Sequence, residues 1–184
     1  MNWLPPDRFR DLIPLPLGLR VESMRSAHIY RHRVCLDGAI DKDVQVFTIW
    51  CGDELVGLWS IEREVDSLAL YGRVVAIAPQ HAGAGLTRRL TSGTEEAARQ
   101  MGAAFMYSLV TLKHPYVAQA LETAGYRLLG FWPGFDRELV DGVVKRVYQA
   151  VYAKLLAPED EVLRPEPKNL TPGAKALFEL LFSD

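Results

Sequence analysis

Cysteine is scarce in this chain of 184 residues, which has only Cys35 and Cys51. Two thiols are too few for a disulfide framework or a cysteine-based metal site, and we expect neither to act as a nucleophile. The four histidines, at positions 28, 32, 81 and 114, show no paired-ligand spacing with a third partner. His28 and His32 are four residues apart, and a shared solvated helix face explains that spacing better than a metal pair. We therefore expect no metal.

The chain also lacks an excess of positive charge and any long apolar run. It has 21 Lys and Arg against 23 Asp and Glu, a formal net charge of −2, which argues against nucleic acid and anionic membranes as partners. No apolar run approaches the roughly 20 residues of a membrane-spanning helix, and the N-terminus lacks a basic start before a continuous apolar segment. We therefore expect a cytoplasmic location. We also expect one domain with a short appendage, because a chain of this length with 49% hydrophobic residues can fill one core.

The most informative stretch that is present is VVAIAPQHAGAGL, residues 74–86. Residues 74–77 form a short β-branched run that Pro79 ends, which is typical of a buried strand. After the loop 80–85, the spacing of Leu86, Leu90, Ala97 and Met101 predicts a helix that ends at Gly102. A glycine-bearing loop at a helix N-terminus presents unpaired N–H groups and the positive end of the helix dipole. The sequence therefore predicts an anion site.

Two common phosphate-binding loops do not fit this stretch. A nucleotide P-loop has lysine followed by Ser or Thr after its last glycine, whereas Gly85 is followed by Leu86 and Thr87. A dinucleotide-binding fingerprint needs a third small residue where Arg88 stands. What remains is the pattern Q-x-x-G-x-G directly after a strand and a proline.

The rest of the chain alternates strand and helix patterns. After an extended, proline-rich lead-in over 1–18, the patterns predict a helix at 23–36 ended by Asp37-Gly38, strands at 44–50, 55–65 and 68–78, the helix from Leu86, a buried strand at 103–111, a helix between Pro115 and Gly125, a strand at 126–132, a polar excursion at 133–142 and a last strand at 143–156. Hairpins mixed with helices indicate an α/β or α+β fold with a mixed sheet.

This order, together with I-A-P-Q-H-A-G-A-G-L and the later helix that ends in A-G-Y, resembles the GNAT superfamily of acyl-CoA-dependent N-acetyltransferases. The resemblance covers roughly Val44 to Leu156. It implies a GNAT-like mixed, mostly antiparallel central sheet flanked by helices, in a domain over 1–156. It also implies that the strand before the glycine loop and the strand after its helix separate, with acetyl-CoA lying between them as acyl donor.

If the resemblance holds, the cofactor contacts follow residue by residue. Backbone groups of Ile77 and Ala78, at the edge of their strand, form hydrogen bonds to the pantetheine amides. Backbone N–H groups hold the pyrophosphate along Gln80, His81, Ala82, Gly83, Ala84, Gly85 and Leu86. Glycine at 83 and 85 allows close approach. Arg88 and Arg89 either add charge near the phosphates or form a solvated helix face.

The implied chemistry is attack of an amine on a thioester, which needs an uncharged amine and a proton for the leaving thiolate. Many family members carry a tyrosine proton donor where this chain has Leu121. Tyr116 and His114 are the nearest alternatives, although His114 fits a capping or surface role as well. For the base, Tyr71 lies near a position where some members present a carboxylate, and packing is its alternative role. Glu62 or Glu64 could act through water.

The acceptor is not readable from the sequence, and the resemblance implies a small-molecule or protein amine. Phe131, Trp132 and Phe135, followed by Asp136, suit either an acceptor pocket or core packing with a polar loop. Two other functions stay open. One is a catalytically inactive GNAT-like module that binds CoA or a protein, and the other is an unrelated domain whose loop binds another phosphate.

Residues 157–184 change character. An acidic, proline-rich arm leads to Thr171, which is placed to cap a short helix beginning at Pro172 with Leu177, Leu180 and Leu181 on one side. An isolated helix of this length is marginal in water, so its apolar side must dock. The sequence leaves open docking on the chain's own sheet or on a second subunit in a homodimer.

Overall fold

A computed structural model describes residues 1, 2, 4, 5, 8, 11–13, 15, 18–25, 43–82 and 85–182. The described strands form one seven-stranded sheet in the order β1-β2-β3-β4-β5-β7-β6, in which only β4 and β5 are parallel neighbours. The elements are β1 (Leu19–Arg25), β2 (Val44–Cys51), β3 (Glu54–Glu64), β4 (Ala69–Ile77), α1 (Leu86–Gln100), β5 (Phe105–Thr111), α2 (Tyr116–Thr123), β6 (Arg127–Val140), β7 (Val143–Leu155) and α3 (Pro172–Phe182). The predicted fold class is confirmed.

Strands β2, β3 and β4 form the predicted meander. The turn that joins β2 to β3 contains Gly52, whose φ of +58° suits a residue without a side chain. Phe47 and Ile49 on β2 are completely buried in the main core. Val46, on the other face of β2, is also completely buried and packs with Leu58. This strand is therefore apolar on both faces, which explains its continuous hydrophobic run.

The helix predicted at 23–36 is wrong for residues 23–25. These residues are the end of β1, which pairs antiparallel with β2 from Leu19 opposite Cys51 to Arg25 opposite Gln45. Residues 26–36 and the predicted stop at Asp37-Gly38 lie outside the described residues. The backbone groups along β2 bond this segment as a strand, and that long-range pairing outweighs its local helical spacing.

Helix α1 packs on the core through the predicted stripe. Leu86, Leu90, Ala97 and Met101 are all at least 96% buried. Position 93, inside the helix, is occupied by glycine because a Cβ there would come within 2.4 Å of Ile13 Cγ1. Ile13, which is 3% exposed, brings the described part of the N-terminal lead-in onto the core. Gly102, with a φ of +77°, follows the end of the helix as predicted.

The polar excursion predicted at 133–142 is also wrong. Strand β6 continues through this segment and forms a long hairpin with β7, turning at Asp141 and Gly142. Both turn residues have positive φ, 52° and 77°, as a tight two-residue hairpin turn requires. The pairing register shifts between Trp132 and Asp136, so an irregularity in the ladder accommodates the loop-like sequence.

Helix α3 docks on the chain itself. Its start is capped as predicted, with the Ala174 N–H donating to Thr171 Oγ1 at 3.3 Å. Near its end, Arg127 Nη1 on β6 donates to the Leu181 carbonyl at 2.7 Å, and the guanidinium lies 5.3 Å from the centre of the Phe182 ring. Of the predicted stripe, only Leu181 is partly buried, together with Phe182, whereas Leu177 and Leu180 are 50% and 80% exposed.

Candidate functional site

Strands β4 and β5 separate in the middle of the sheet. They are paired in parallel from Ala69 opposite Phe105 to Gly72 opposite Ser108, and the paired positions end there. Beyond that point β4 stays paired with β3, while β5 stays paired with β7. The register of β3 with β4 also shifts here, leaving Arg73 as an extra residue in β4. The two strands therefore diverge at an irregularity in β4.

The end of β4 is less buried than the sequence predicts. Val74 is 36% exposed and Ala76 is also exposed, whereas the β-branched run predicts a fully buried strand. The reason is the separation, because no strand among the described residues pairs with this part of β4 on the side where β5 leaves it. One edge of the β4 backbone is thereby free to bond a ligand that lies alongside it.

A cavity of about 100 Å³ lies beside the diverging strands. It is bordered by β3, β4, α1, β5 and α2, and its lining includes Trp59, Gly72, Val75, Thr87, Leu90, Thr91, Thr94, Ser108, Val117 and Leu121. Most of the lining surface is apolar, which suits an uncharged part of a ligand. Leu121, at the position where the resemblance implies a tyrosine, lies in this wall.

The loop between β4 and α1 begins as a single turn of 3₁₀-helix over Pro79–His81. The His81 N–H donates to the Ala78 carbonyl at 2.9 Å, and the Ala82 N–H donates to the Pro79 carbonyl at 3.1 Å. Two of the predicted pyrophosphate donors are thus engaged within the loop. Gly83 and Ala84 lie outside the described residues.

The start of α1 retains its anion-binding groups. Gly85, the residue before the helix, has a φ of +71° and no side chain with which to cap the first turn. The first backbone bond here runs from the Arg89 N–H to the Gly85 carbonyl at 3.1 Å. The N–H groups of Leu86, Thr87 and Arg88 precede that bond and point out of the helix end. With no acidic residue in this turn, the helix dipole makes the end electropositive.

Several solved structures that are similar to this chain in fold are described as acetyltransferases. An IAA acetyltransferase from Bacillus cereus is 14% identical with a TM-score of 0.57, over 75% of this chain and 99% of its own. A Bacillus subtilis acetyltransferase in complex with CoA is 17% identical with a TM-score of 0.55, over 76% and 99%. A GNAT family acetyltransferase from Elizabethkingia anophelis with acetyl-CoA bound is 10% identical with a TM-score of 0.56, over 77% and 100%.

The chain has the GNAT fold. No family model matches the sequence, and no curated protein matches it either. The similarity is therefore one of structure, and it agrees with the diverging strands and the helix N-terminus described above. No helix in the described part of the chain is long and apolar enough to cross a membrane. Nor do the described residues include a cluster of side chains suited to a metal ion.

Within this GNAT fold, Tyr71 lies in a cluster at the base of the separation. Its ring stacks on Tyr107 with the centroids 4.7 Å apart, and the Tyr107 hydroxyl donates to Glu64. Burial and this hydrogen bond raise the pKa of Tyr107 above its ordinary value, so its phenol stays protonated at neutral pH. Arg73 lies over the Tyr71 ring and pairs with Glu62. Glu62 is thus the cross-strand partner of Tyr71, and Glu64 joins the cluster through Tyr107.

His114 and Tyr116 lie together at the start of α2. Their ring centroids are 5.1 Å apart, and Tyr116 is 71% exposed. Helix α2 itself faces the cavity through Val117 and Leu121. The structure thus brings the two predicted proton donors together, in a group separate from the Tyr71 cluster.

Two cavity residues, Ser108 and Trp59, were missed by sequence reasoning. Ser108 lies on β5 between Met106 and Val110, which are both buried. A serine at the core-facing position of an alternating strand was the available signal. For Trp59 there was no signal, because an aromatic residue in an apolar strand is ordinary core composition.

Proposed function

We propose that this protein is an acyl-CoA-dependent N-acyltransferase that transfers acetyl from acetyl-CoA to an amine. The observation that carries the proposal is the separation of β4 from β5 beside an apolar cavity, with the uncapped start of α1 following β4 in the chain. CoA needs both features, since its pantetheine arm is uncharged and its pyrophosphate is anionic. That two structures sharing the fold contain CoA or acetyl-CoA supports this choice of ligand.

In this proposal the pantetheine arm runs along the free edge of β4 at Ile77 and Ala78. The pyrophosphate lies over the loop and helix start formed by Gln80, His81, Ala82, Gly83, Ala84, Gly85 and Leu86. Because the N–H groups of His81 and Ala82 already donate within the loop, the main donors are those at the beginning of α1. Arg88 and Arg89, in the first turn of α1, add positive charge there.

The reaction requires the neutral amine nitrogen to attack the thioester carbonyl carbon. The carbon–sulfur bond breaks, the sulfur takes a proton, and the nitrogen loses one. We assign protonation of the sulfur to Tyr116, with His114 as its neighbour and alternative. We assign removal of the amine proton to the cluster around Tyr71, where Glu62 and Glu64 are the basic groups, since the phenol of Tyr107 is held protonated.

A second function is favoured by one observation. Leu121 lines the cavity where the family resemblance implies a tyrosine, so this chain lacks the usual proton donor there. A module that binds CoA without turning it over fits that substitution. Its partner would then be a protein or CoA itself.

Two measurements separate these functions. Calorimetry with acetyl-CoA tests binding, and thiol release from acetyl-CoA in the presence of a panel of small amines and N-terminal peptides tests turnover. Binding with sustained, amine-dependent release supports the enzyme. Binding without release supports the module, and no binding of acetyl-CoA contradicts both.

A further inference from the structure

Ser108 presents a hydroxyl group that no other described residue uses. Its Oγ makes no hydrogen bond among the described residues, and the side chain is only partly buried. The Oγ is also not one of the polar atoms that the fold seals from solvent without a partner, so it can be reached from outside the protein. An accessible hydroxyl that is not engaged within the protein is able to donate a hydrogen bond to a ligand.

This hydroxyl lies where β4 and β5 part. Ser108 and Gly72 form the last paired position of the two strands, and both residues line the cavity together with Arg73, the next residue of β4. The Arg73 guanidinium lies over the Tyr71 ring. This end of the cavity therefore adjoins the Tyr71 cluster, to which we assign removal of the amine proton.

The rest of the cavity wall on the side of β5 and α2 is apolar. Apart from Ser108, the described residues of these two elements that line it have hydrocarbon or thioether side chains, as at Val110 and Leu121. On α1, Thr91 and Thr94 donate to carbonyl groups of the preceding helical turn, and Thr87 lies in the first turn, near the proposed pyrophosphate. Ser108 is thus the hydroxyl that this side of the cavity offers at the parting point.

The path proposed for the ligand indicates which of its atoms meets Ser108. The phosphate end lies at the start of α1, which follows β4, and the thioester end must reach the Tyr71 cluster. The thioester then lies where the strands part, beside Ser108. The free edge of β4 offers backbone N–H groups to the carbonyl oxygen. The sulfur is the polar atom left on the side of β5, and it becomes negatively charged as the carbon–sulfur bond breaks.

We propose that the Ser108 hydroxyl donates a hydrogen bond to the sulfur of acyl-CoA as the carbon–sulfur bond breaks. This inference rests on the proposed function, since it concerns the same ligand. Ser108 keeps its own proton and stabilises the charge on sulfur until the proton arrives from Tyr116. Because a hydrogen bond to a charged atom is stronger than one to a neutral atom, the contact favours the transition state over bound acetyl-CoA.

The pKa of the thiol of bound CoA tests this contact without requiring turnover. The ultraviolet absorbance of the thiolate is followed during a pH titration of the CoA complex, in a background with Cys35→Ala and Cys51→Ala. Desulfo-CoA, which lacks the thiol, supplies the blank. Ser108→Ala should raise the pKa of the bound thiol by about 1, because it removes a donor that favours the thiolate. Thr111→Val is the matched control, since Thr111 lies on the same strand but does not line the cavity.

Kinetics and binding complete the test. With an amine that the wild-type protein acetylates, kcat of Ser108→Ala should fall about 10-fold while KM for acetyl-CoA changes little. An unchanged kcat removes the catalytic role. An unchanged thiol pKa removes the contact, while CoA binding and the proposed function stand. If the wild-type protein binds neither CoA nor acetyl-CoA, the proposed function fails and the contact fails with it.

Ser108→Cys keeps the contact testable if Ser108→Ala does not fold. In the background without the two native cysteines, the new thiol should lie beside the sulfur of bound CoA. Oxidation by diamide, which takes up the two hydrogens and two electrons, should then join the two sulfurs in a mixed disulfide. Mass spectrometry detects the added CoA. Thr111→Cys should react far more slowly, and equal rates for the two variants would place the CoA sulfur elsewhere.

Discussion

Gly72 and Ser108 face each other at the last paired position of β4 and β5, so closely that a Cβ on Gly72 would lie 2.4 Å from Ser108 Oγ. The φ of Gly72 lies outside the left-handed region, so the backbone itself accepts any residue. Glycine is needed here for space, and the serine hydroxyl occupies the space that a side chain would take. The two residues therefore lie side by side at the point where the strands begin to part.

We expect Gly72→Ala to lower the free energy of unfolding by about 1 kcal/mol, because the new Cβ displaces the Ser108 hydroxyl. In a Ser108→Ala background the displaced atom is absent. There the same change should be neutral or stabilising, since alanine restricts the unfolded chain more than glycine does. Urea denaturation of the four proteins measures the coupling, which should be about 0.5 kcal/mol or more. An equal penalty in both backgrounds would place the clash elsewhere.

Gly85 and Gly102 give a matched test of the cofactor loop. They lie at opposite ends of α1, have φ values of +71° and +77°, and have open space where a Cβ would be. Glutamate therefore introduces the same charge and similar strain at each. Only Gly85→Glu places a carboxylate where the pyrophosphate is proposed to bind, so it alone should abolish CoA binding. Calorimetry on both folded variants decides, and unchanged CoA affinity in Gly85→Glu would remove the cofactor assignment.

Tyr116→Phe tests the assigned proton donor, since it deletes only the hydroxyl. If Tyr116 protonates the sulfur, kcat should fall roughly 10- to 1000-fold with acetyl-CoA affinity nearly unchanged. Tyr148→Phe is the control, because Tyr148 is also largely exposed, at 60%, and lies on the β6–β7 hairpin. A wild-type kcat in Tyr116→Phe would transfer the assignment to His114, for which His114→Gln is the next variant.

The unit from β4 to α1 could be predicted because its signals are local. A β-branched run, Pro79, the glycines and the stripe from Leu86 to Met101 each act on neighbouring residues, so the order of strand, loop and helix follows. The cofactor loop was identified from the same short stretch. The sequence did not show that the N–H groups of His81 and Ala82 are already hydrogen-bonded within this loop, because those bonds depend on how the turn after Pro79 closes.

The errors fall where pairing between distant segments decides the structure. Residues 23–25 are strand because β2 pairs with them, and residues 136–140 are strand because β7 pairs with them beyond the register shift that follows Trp132. Pro133, Gly134 and Asp136 look like a loop by composition, and only the partner strand shows otherwise. The indole N–H of Trp59 is a similar case, since only the three-dimensional structure shows that no group among the described residues accepts a hydrogen bond from it.

Helix α3 should stabilise the chain by docking on its own sheet. Phe182 contacts Arg127, so Phe182→Ala should lower the free energy of unfolding by about 1 to 2 kcal/mol, the scale for a partly buried aromatic side chain. Leu180→Ala is the control, because Leu180 is 80% exposed and its removal should leave the melting temperature unchanged. Truncation after Leu156 should lower the melting temperature without changing the number of subunits in solution. Light scattering that shows a full-length dimer becoming a monomer on truncation would instead assign the helix to a second subunit.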